Sequence, residues 1–159
     1  MKSVVVYVSR QGCCEKSAVM LLRRLGEQAT MVDLDTNKGL DLAPYDTVII
    51  GGPIYYGRME GLVRRFCRQH LETLLQKRLG LFICCMESGE RALDELQEAF
   101  PPELLSHATA TGYFGGEIAL ERLNFVERFM VRSIAKVDHN ISTLSEERIA
   151  RFLEQLQAR

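Results

Sequence analysis

The chain has 159 residues, 47% of them hydrophobic, and a formal net charge of −1. Such a length suits one domain with a real core over 1–159, and such a composition excludes a disordered chain. The balanced charge gives no field to attract nucleic acid, and no apolar stretch is long enough to span a bilayer.

Val4 to Val8 is apolar at every position, which predicts a strand covered on both faces. It ends at Ser9, and Gly12 permits a tight turn. Ala18, Leu21, Leu22 and Leu25 then recur at helical spacing up to Gly26. Thr30 to Leu34 reads as the second strand, and Asp35 to Pro44 is polar and turn-rich. Thr47 to Ile50 is the third strand, closed by Gly51-Gly52-Pro53. Met59 to Arg78 reads as one helix, with Leu62, Val63, Phe66, Cys67, Leu71 and Leu74 on one side. Gly80 to Met86 is the fourth strand. Glu90 to Phe100 is a helix stopped by Pro101-Pro102. His107 to Phe114 is the fifth strand, and helices follow over Glu121 to Val137 and Ser145 to Gln157. Thr143 with Glu146 has the spacing of a capping box for the last helix.

Strands and helices alternate from end to end. This predicts an α/β fold, a doubly wound five-stranded parallel sheet of order 2-1-3-4-5 with helices on both faces. In that order a ligand crevice lies beyond the carboxyl ends of the strands, so the loops after the first, third and fourth strands should meet there. These are Ser9 to Cys14, Gly52 to Arg58, and Met86 to Gly89. The first would aim backbone N–H groups from a helix N-terminus at one point, as a phosphate cradle does. Ser9 adds a hydroxyl and Arg10 a cation. A plain strand-to-helix turn fits that loop equally well. A Walker A loop, a G-x-G-x-x-G fingerprint and a Cys-x5-Arg phosphatase loop are all absent. The second loop sets Tyr55 and Tyr56 beside Gly57, and the pair favours contact with a planar ligand.

Ser9-Arg10-Gln11-Gly12 and Gly51-Gly52-Pro53-Ile54-Tyr55-Tyr56-Gly57 resemble the first and second flavin loops of the flavodoxin-like superfamily. The group most similar includes menaquinone-dependent protoporphyrinogen oxidase, with its Thr-Arg-Asp-Gly and Ile-x-Tyr-Gly loops and a helix like Glu127-Arg128-Phe129-Met130-Val131. The resemblance implies FMN as cofactor. It implies that Ser9, Arg10, Gln11, Gly12, Cys13 and Cys14 hold the phosphate. It further implies that Pro53, Ile54, Tyr55, Tyr56 and Gly57 border the flavin ring, with Glu87, Ser88 and Gly89 at the third loop. Cys13 and Cys14 stand where flavodoxins usually carry Asn and Thr, and a thiol is the weaker donor.

The five cysteines are Cys13, Cys14, Cys67, Cys84 and Cys85. An odd count in adjacent pairs fits neither a secreted disulfide framework nor a zinc site. With no signal-peptide pattern, the expectation is a reduced, cytoplasmic protein. Cys84 and Cys85 should point to opposite faces of their strand as core residues. Cys13 and Cys14, at a helix start, read as loop filling ahead of thiol chemistry. Arg122, Arg128, Arg132 and Lys136 make the penultimate helix basic, as a solvated face or as a surface for an anionic membrane. The functional expectation is an FMN-binding redox protein, an electron carrier or a two-electron oxidoreductase. Its partner is a redox protein or a quinone- or porphyrin-type molecule. The competing expectation is a flavodoxin-like binding module without cofactor.

Overall fold

Val4, Val5, Val6 and Val8 are completely buried, because β1 (Ser3–Tyr7) lies inside a parallel sheet with a strand on each side. The coordinates are a computed structural model and describe residues 2–118, 120, 124–133 and 140–158. β2 (Ala29–Asp33) and β3 (Thr47–Tyr55) flank β1, and both run parallel to it. A two-residue strand β4 (Arg58–Met59) folds back on β3 as a hairpin. β5 (Arg78–Cys84) and β6 (Ala110–Tyr113) complete the sheet, whose order is β2-β1-β3-β5-β6. With the hairpin set aside, this is the expected 2-1-3-4-5 order.

Alternation along β1 divides the core. Val4, Val6 and Val8 pack with Val63 and Cys67 of α2 (Gly61–Gln69) and with Ala92 and Leu96 of α4 (Gly89–Ala99). Val5 and Tyr7 pack with Ala18 and Leu21 of α1 (Cys13–Leu25) and with Ile149 and Phe152 of α7 (Glu146–Gln157). Cys84 and Cys85 fall on opposite sides of this division, each 4% exposed. Among the described residues, no helix is long and apolar enough to cross a membrane.

Several local expectations give way. The helix expected over Met59 to Arg78 is broken at His70 into α2 and a single turn, α3 (Leu71–Leu74). Met59 and Arg78 at its two ends belong to strands. β3 runs past its double glycine to Tyr55. Its Gly51 is tolerated there because the Phe82 ring fills the place a Cβ would take, at 2.0 Å. His107 ends a short helix, α5 (Pro102–His107), instead of opening a strand. Pro102 suits a first helical turn, where no N–H is needed. Of the helix expected over Glu121 to Val137, α6 (Phe125–Ser133) is described. Arg122, Ile134 and Lys136 lie outside the described residues.

A small antiparallel pair, β7 (Glu117–Ile118) with β8 (Ile141–Ser142), was not legible as strands. Thr143 does not cap α7. Its hydroxyl accepts from the Gly116 N–H at 3.0 Å, and the cap is Ser145, which accepts from the Arg148 N–H at 3.2 Å.

Candidate functional site

The carboxyl ends of the parallel strands open into a crevice of about 410 Å³, within the range of small-molecule sites. Arg10, Gln11, Cys13 and Cys14 border it from the first loop. Pro53, Ile54, Tyr55, Tyr56 and Gly57 border it from the end of β3 and the hairpin, and Glu87 from the loop after β5. These three stretches are far apart in sequence and meet because their strands are parallel and adjacent. Ser9, Gly12, Ser88 and Gly89 are not among the residues that line it. Gly12 is the N-cap of α1 at φ 96°, a left-handed conformation, with no side-chain capping bond. Ser9 Oγ accepts from the Glu15 N–H in the first turn at 3.2 Å. Ser88 precedes α4, and the Gly89 N–H donates to the Tyr113 hydroxyl at 3.1 Å. An α-helix leaves its first N–H groups without intrahelical partners. The start of α1 therefore presents a partial positive charge to the crevice edge.

Arg10 is held differently from the sequence expectation. Its guanidinium donates to Asp35 at 2.7 Å and to Glu60 at 2.6 Å, so its charge is spent on two carboxylates. Glu60 is also the N-cap of α2 and accepts from the Leu62 N–H at 2.6 Å. The Arg10–Glu60 pair thus ties the first loop to the segment just beyond the hairpin. Burial opposes ionisation of Glu60, but the bonds from Arg10 and the Leu62 N–H outweigh it and hold the carboxyl below its usual range. A depressed carboxyl stabilises the fold above its unfolded value, near 4.3, and loses that contribution as pH falls through the folded value. Glu60→Gln should therefore cost about 1 kcal/mol at neutral pH. Urea denaturation of both proteins should show that gap closing on acidification. A gap that persists in acid would rule out charge as its cause.

The hairpin is a two-residue turn. Ile54 pairs with Met59 and Tyr55 with Arg58. Both central residues have positive φ, Tyr56 at 53° and Gly57 at 78°, the type I′ signature. Glycine takes this conformation without a Cβ clash, whereas a tyrosine is strained in it. Tyr56 is nonetheless 79% exposed, so no packing explains the residue. Tyr55 lies deeper. Its hydroxyl is sealed from solvent without a hydrogen-bond partner among the described residues, and burial with the neighbouring Cys14 pushes its pKa up. Tyr56→Gly should stabilise the ligand-free protein by about 1 kcal/mol in thermal or urea unfolding. The same change should weaken binding of a planar ligand. Tyr55→Ala should weaken that ligand more, because it removes the wall as well as the hydroxyl. Unchanged dissociation constants for both variants would remove the hairpin from the site.

Sequence reasoning missed the far wall. Cys84, Cys85 and Met86 line the crevice at the end of β5, and Glu95 lines it from α4. Gly116, Glu117 and Ile118 close it after β6, and Glu127 reaches it from α6. Gly115-Gly116 ended a predicted strand, so the carboxyl-edge rule applied to the last strand would have found that part. Cys13, Cys14 and Cys84 are buried together. Cys13 donates to the Gly115 carbonyl oxygen at 3.5 Å. The adjacent Cys84 thiol, with burial, pushes Cys13 far up. These effects oppose any lowering of the Cys13 thiol by the helix start.

A model of the flavodoxin domain matches residues 4–145. The chain belongs to the flavodoxin domain family. Flavodoxin domains are FMN-binding redox modules. Comparison with curated proteins gives no match. Among solved structures the chain resembles the flavodoxin of Streptococcus pneumoniae TIGR4, with 15% identity, TM-score 0.56 and 99% of each chain covered. The two-electron reduced flavodoxin of Megasphaera elsdenii is similar at 20% identity and TM-score 0.52, covering 72% of this chain and 85% of that one. Rubredoxin oxygen:oxidoreductase of Desulfovibrio gigas is similar at 19% identity and TM-score 0.54 over 99% of this chain. This flavodoxin-domain chain spans only 37% of that larger protein's length. At these identities the likeness is one of fold.

The residues present fit FMN. The Gly12 N-cap of α1 makes no side-chain capping bond, and the one first-turn N–H bonded to a side chain is that of Glu15, to Ser9 Oγ, among the described bonds, which suits a phosphate at this helix start. A strained, exposed Tyr56 and a buried Tyr55 hydroxyl with no partner among the described residues border the same crevice. Backbone N–H groups around Gly12 would hold the phosphate, and the hairpin tyrosines would lie against the ring.

Proposed function

We propose that this flavodoxin domain binds FMN in the crevice and exchanges electrons, two at a time, with a small lipophilic molecule of quinone or porphyrin type, as in the protoporphyrinogen oxidase group. When bound, FMN supplies the electron chemistry. The protein's residues hold it, exclude water from it and set its potential. The observation that carries the reading is the exposed apolar face of α6, beside the crevice. Phe125, Val126 and Phe129 are 85%, 63% and 64% exposed, on the helix whose Glu127 lines the crevice. Exposed Met86 and Tyr56 line the crevice itself. An apolar approach suits a lipophilic molecule. A protein electron carrier is instead expected to show an acidic docking face, and a net charge of −1 provides no such excess.

Arg128 and Arg132 share α6 with these aromatics, and such a helix suits an anionic membrane surface that carries the quinone. The experiment is a single turnover. FMN-loaded protein is reduced photochemically and mixed under argon with a short-chain quinone or with a one-electron protein acceptor. Fast, full reoxidation by the quinone and slow reaction with the protein acceptor is the expected result. The reverse order of rates would make the domain an electron carrier. Failure to load FMN would make it a binding module.

Arg58 gives a second measurement. It is exposed and faces Tyr55 across the hairpin. A cation there favours the negative charge that arrives with the second electron. Arg58→Glu should make the second one-electron potential more negative in a spectroelectrochemical titration, with the shift shrinking in high salt. An unchanged potential would mean that this charge does not reach the ring.

A further inference from the structure

The chain from Leu34 to Asp46 joins two parallel strands, β2 and β3, and contains no helix. A crossover of this kind usually carries one, which covers the sheet. Here a loop lies beside α2 at the carboxyl end of the edge strand β2, and a groove of about 210 Å³ is left between them. Its apolar lining is Leu34 and Leu40 from the loop and Leu62 and Phe66 from α2. Leu34 and Phe66 belong to the core, so this floor is continuous with it. The Phe66 ring packs against the His70 ring, with centroids 4.5 Å apart. The polar lining is Asn37, Lys38, Arg65, Gln69 and His70, with two full cations and no carboxylate. Lys38 and Arg65 are exposed. The ion pairs among the described residues use Arg10, Lys16, Arg91 and Arg151 as cations, not these two.

We infer that this groove is a second binding site, for a small organic carboxylate with an apolar body, such as an aromatic acid. The inference is independent of FMN, because no residue lines both the groove and the crevice. Charge sets the sign of the ligand. Two cations that share a groove without a carboxylate repel each other, and an anion between them reverses that. Arg65 offers a planar fork that matches a carboxylate, and Lys38 a second charged donor. The floor sets the rest of the ligand. A ring or short chain buries apolar surface against Leu40, Leu62 and Phe66, whereas inorganic phosphate gains nothing there. The groove measures about 210 Å³ against about 410 Å³ for the crevice, room for one ring and not for a tricyclic flavin. Both of its walls are fixed in advance. Asp35, in the loop, and Glu60, which caps α2, are both bonded to Arg10. A groove formed before its ligand arrives spares the cost of ordering it. Two facing walls also suit a small molecule, which is bound in concave sites, better than the surface of a protein.

The test titrates the protein with benzoate, benzyl alcohol and acetate and follows the backbone amides by two-dimensional NMR. Benzyl alcohol keeps the ring without the charge, and acetate keeps the charge without the ring. Benzoate should saturate with a Kd of about 1 mM and bind about tenfold more tightly than either control. The amides that move should be those of 36–40 and 62–70. Lys38→Gln and Arg65→Gln should each weaken benzoate about fivefold. The double variant should bind it no better than benzyl alcohol. Both side chains are exposed, and the unliganded spectra show whether the variants are folded. Equal binding of benzoate and benzyl alcohol by wild type, movement confined to the crevice loops, or wild-type affinity in the folded double variant overturns the site. Displacement of benzoate by equimolar inorganic phosphate overturns the need for an apolar body. A peptide with Phe between two Asp that moves the same amides and binds about tenfold more tightly than benzoate overturns the small acid and makes the groove a protein-docking site.

Discussion

FMN should bind the apoprotein about a hundredfold more tightly than riboflavin, and Gly12→Val should abolish that difference. The two ligands share the ring and differ in the phosphate, so the comparison isolates the start of α1. Two charge-assisted hydrogen bonds from backbone N–H groups, at about 1.5 kcal/mol each, amount to roughly a hundredfold. No positive side chain has to be invoked. Arg10 is neutralised by Asp35 and Glu60, and Arg10→Gln should therefore weaken FMN far less than Gly12→Val does. Gly12 has φ 96°, a conformation in which a β-branched side chain is a genuine outlier. Valine there would shift the cap and crowd the anion. The readout is a pair of fluorescence titrations. Riboflavin binding retained by Gly12→Val shows that the protein is folded and that only the phosphate contact is gone. Equal affinity of wild type for the two ligands would end the phosphate-loop assignment.

Gly115→Ala should be the most damaging small substitution in the chain, costing about 3 kcal/mol or more in urea denaturation. A Cβ at Gly115 would sit 2.1 Å from the Thr143 carbonyl oxygen and 2.6 Å from its carbon. Both are backbone atoms that cannot rotate aside. The segment around Thr143 is held from several directions. The Thr143 N–H donates to the Gly116 carbonyl at 2.8 Å, and the Ser145 N–H donates to the Phe114 carbonyl at 2.8 Å. The Gly115 carbonyl in turn accepts from the Cys85 N–H at 3.0 Å and from the Cys13 thiol. Displacing this strand end would loosen the far crevice wall and the first loop together. Gly39→Ala is the control, because nothing lies within 4 Å of its Cβ position. A stability close to wild type for Gly115→Ala would mean that the 143–145 segment yields easily.

The order of elements and the location of the crevice were determined by sequence. An unbroken valine run at β1 requires cover on both faces, and alternating strands and helices then leave few ways to wind a sheet. Loops after adjacent parallel strands must emerge on one edge. Ser9 to Cys14, Tyr55 to Gly57 and Glu87 could therefore be grouped without any contact being seen. What the sequence could not settle was where competing local signals would be resolved. Leu62, Val63, Phe66, Leu71 and Leu74 keep helical spacing across His70. Only the demand of β5 for Arg78 and its partners, reached through the short α3 turn, ends that helix early. Thr143 and Ser145 both offer a capping hydroxyl. The choice fell to Ser145 because Thr143 is taken by Gly116. Arg10 reads as a free cation until folding brings Asp35 and Glu60 to it from two other elements. Glu95 carried no signal in the sequence beyond its place in the predicted helix from Glu90 to Phe100. Hydrophobic periodicity specifies which face of α4 packs inward. The neighbours of a residue at the margin of that face are set by long-range packing, and this alone brings the Glu95 carboxyl to the end of β5 and into the crevice.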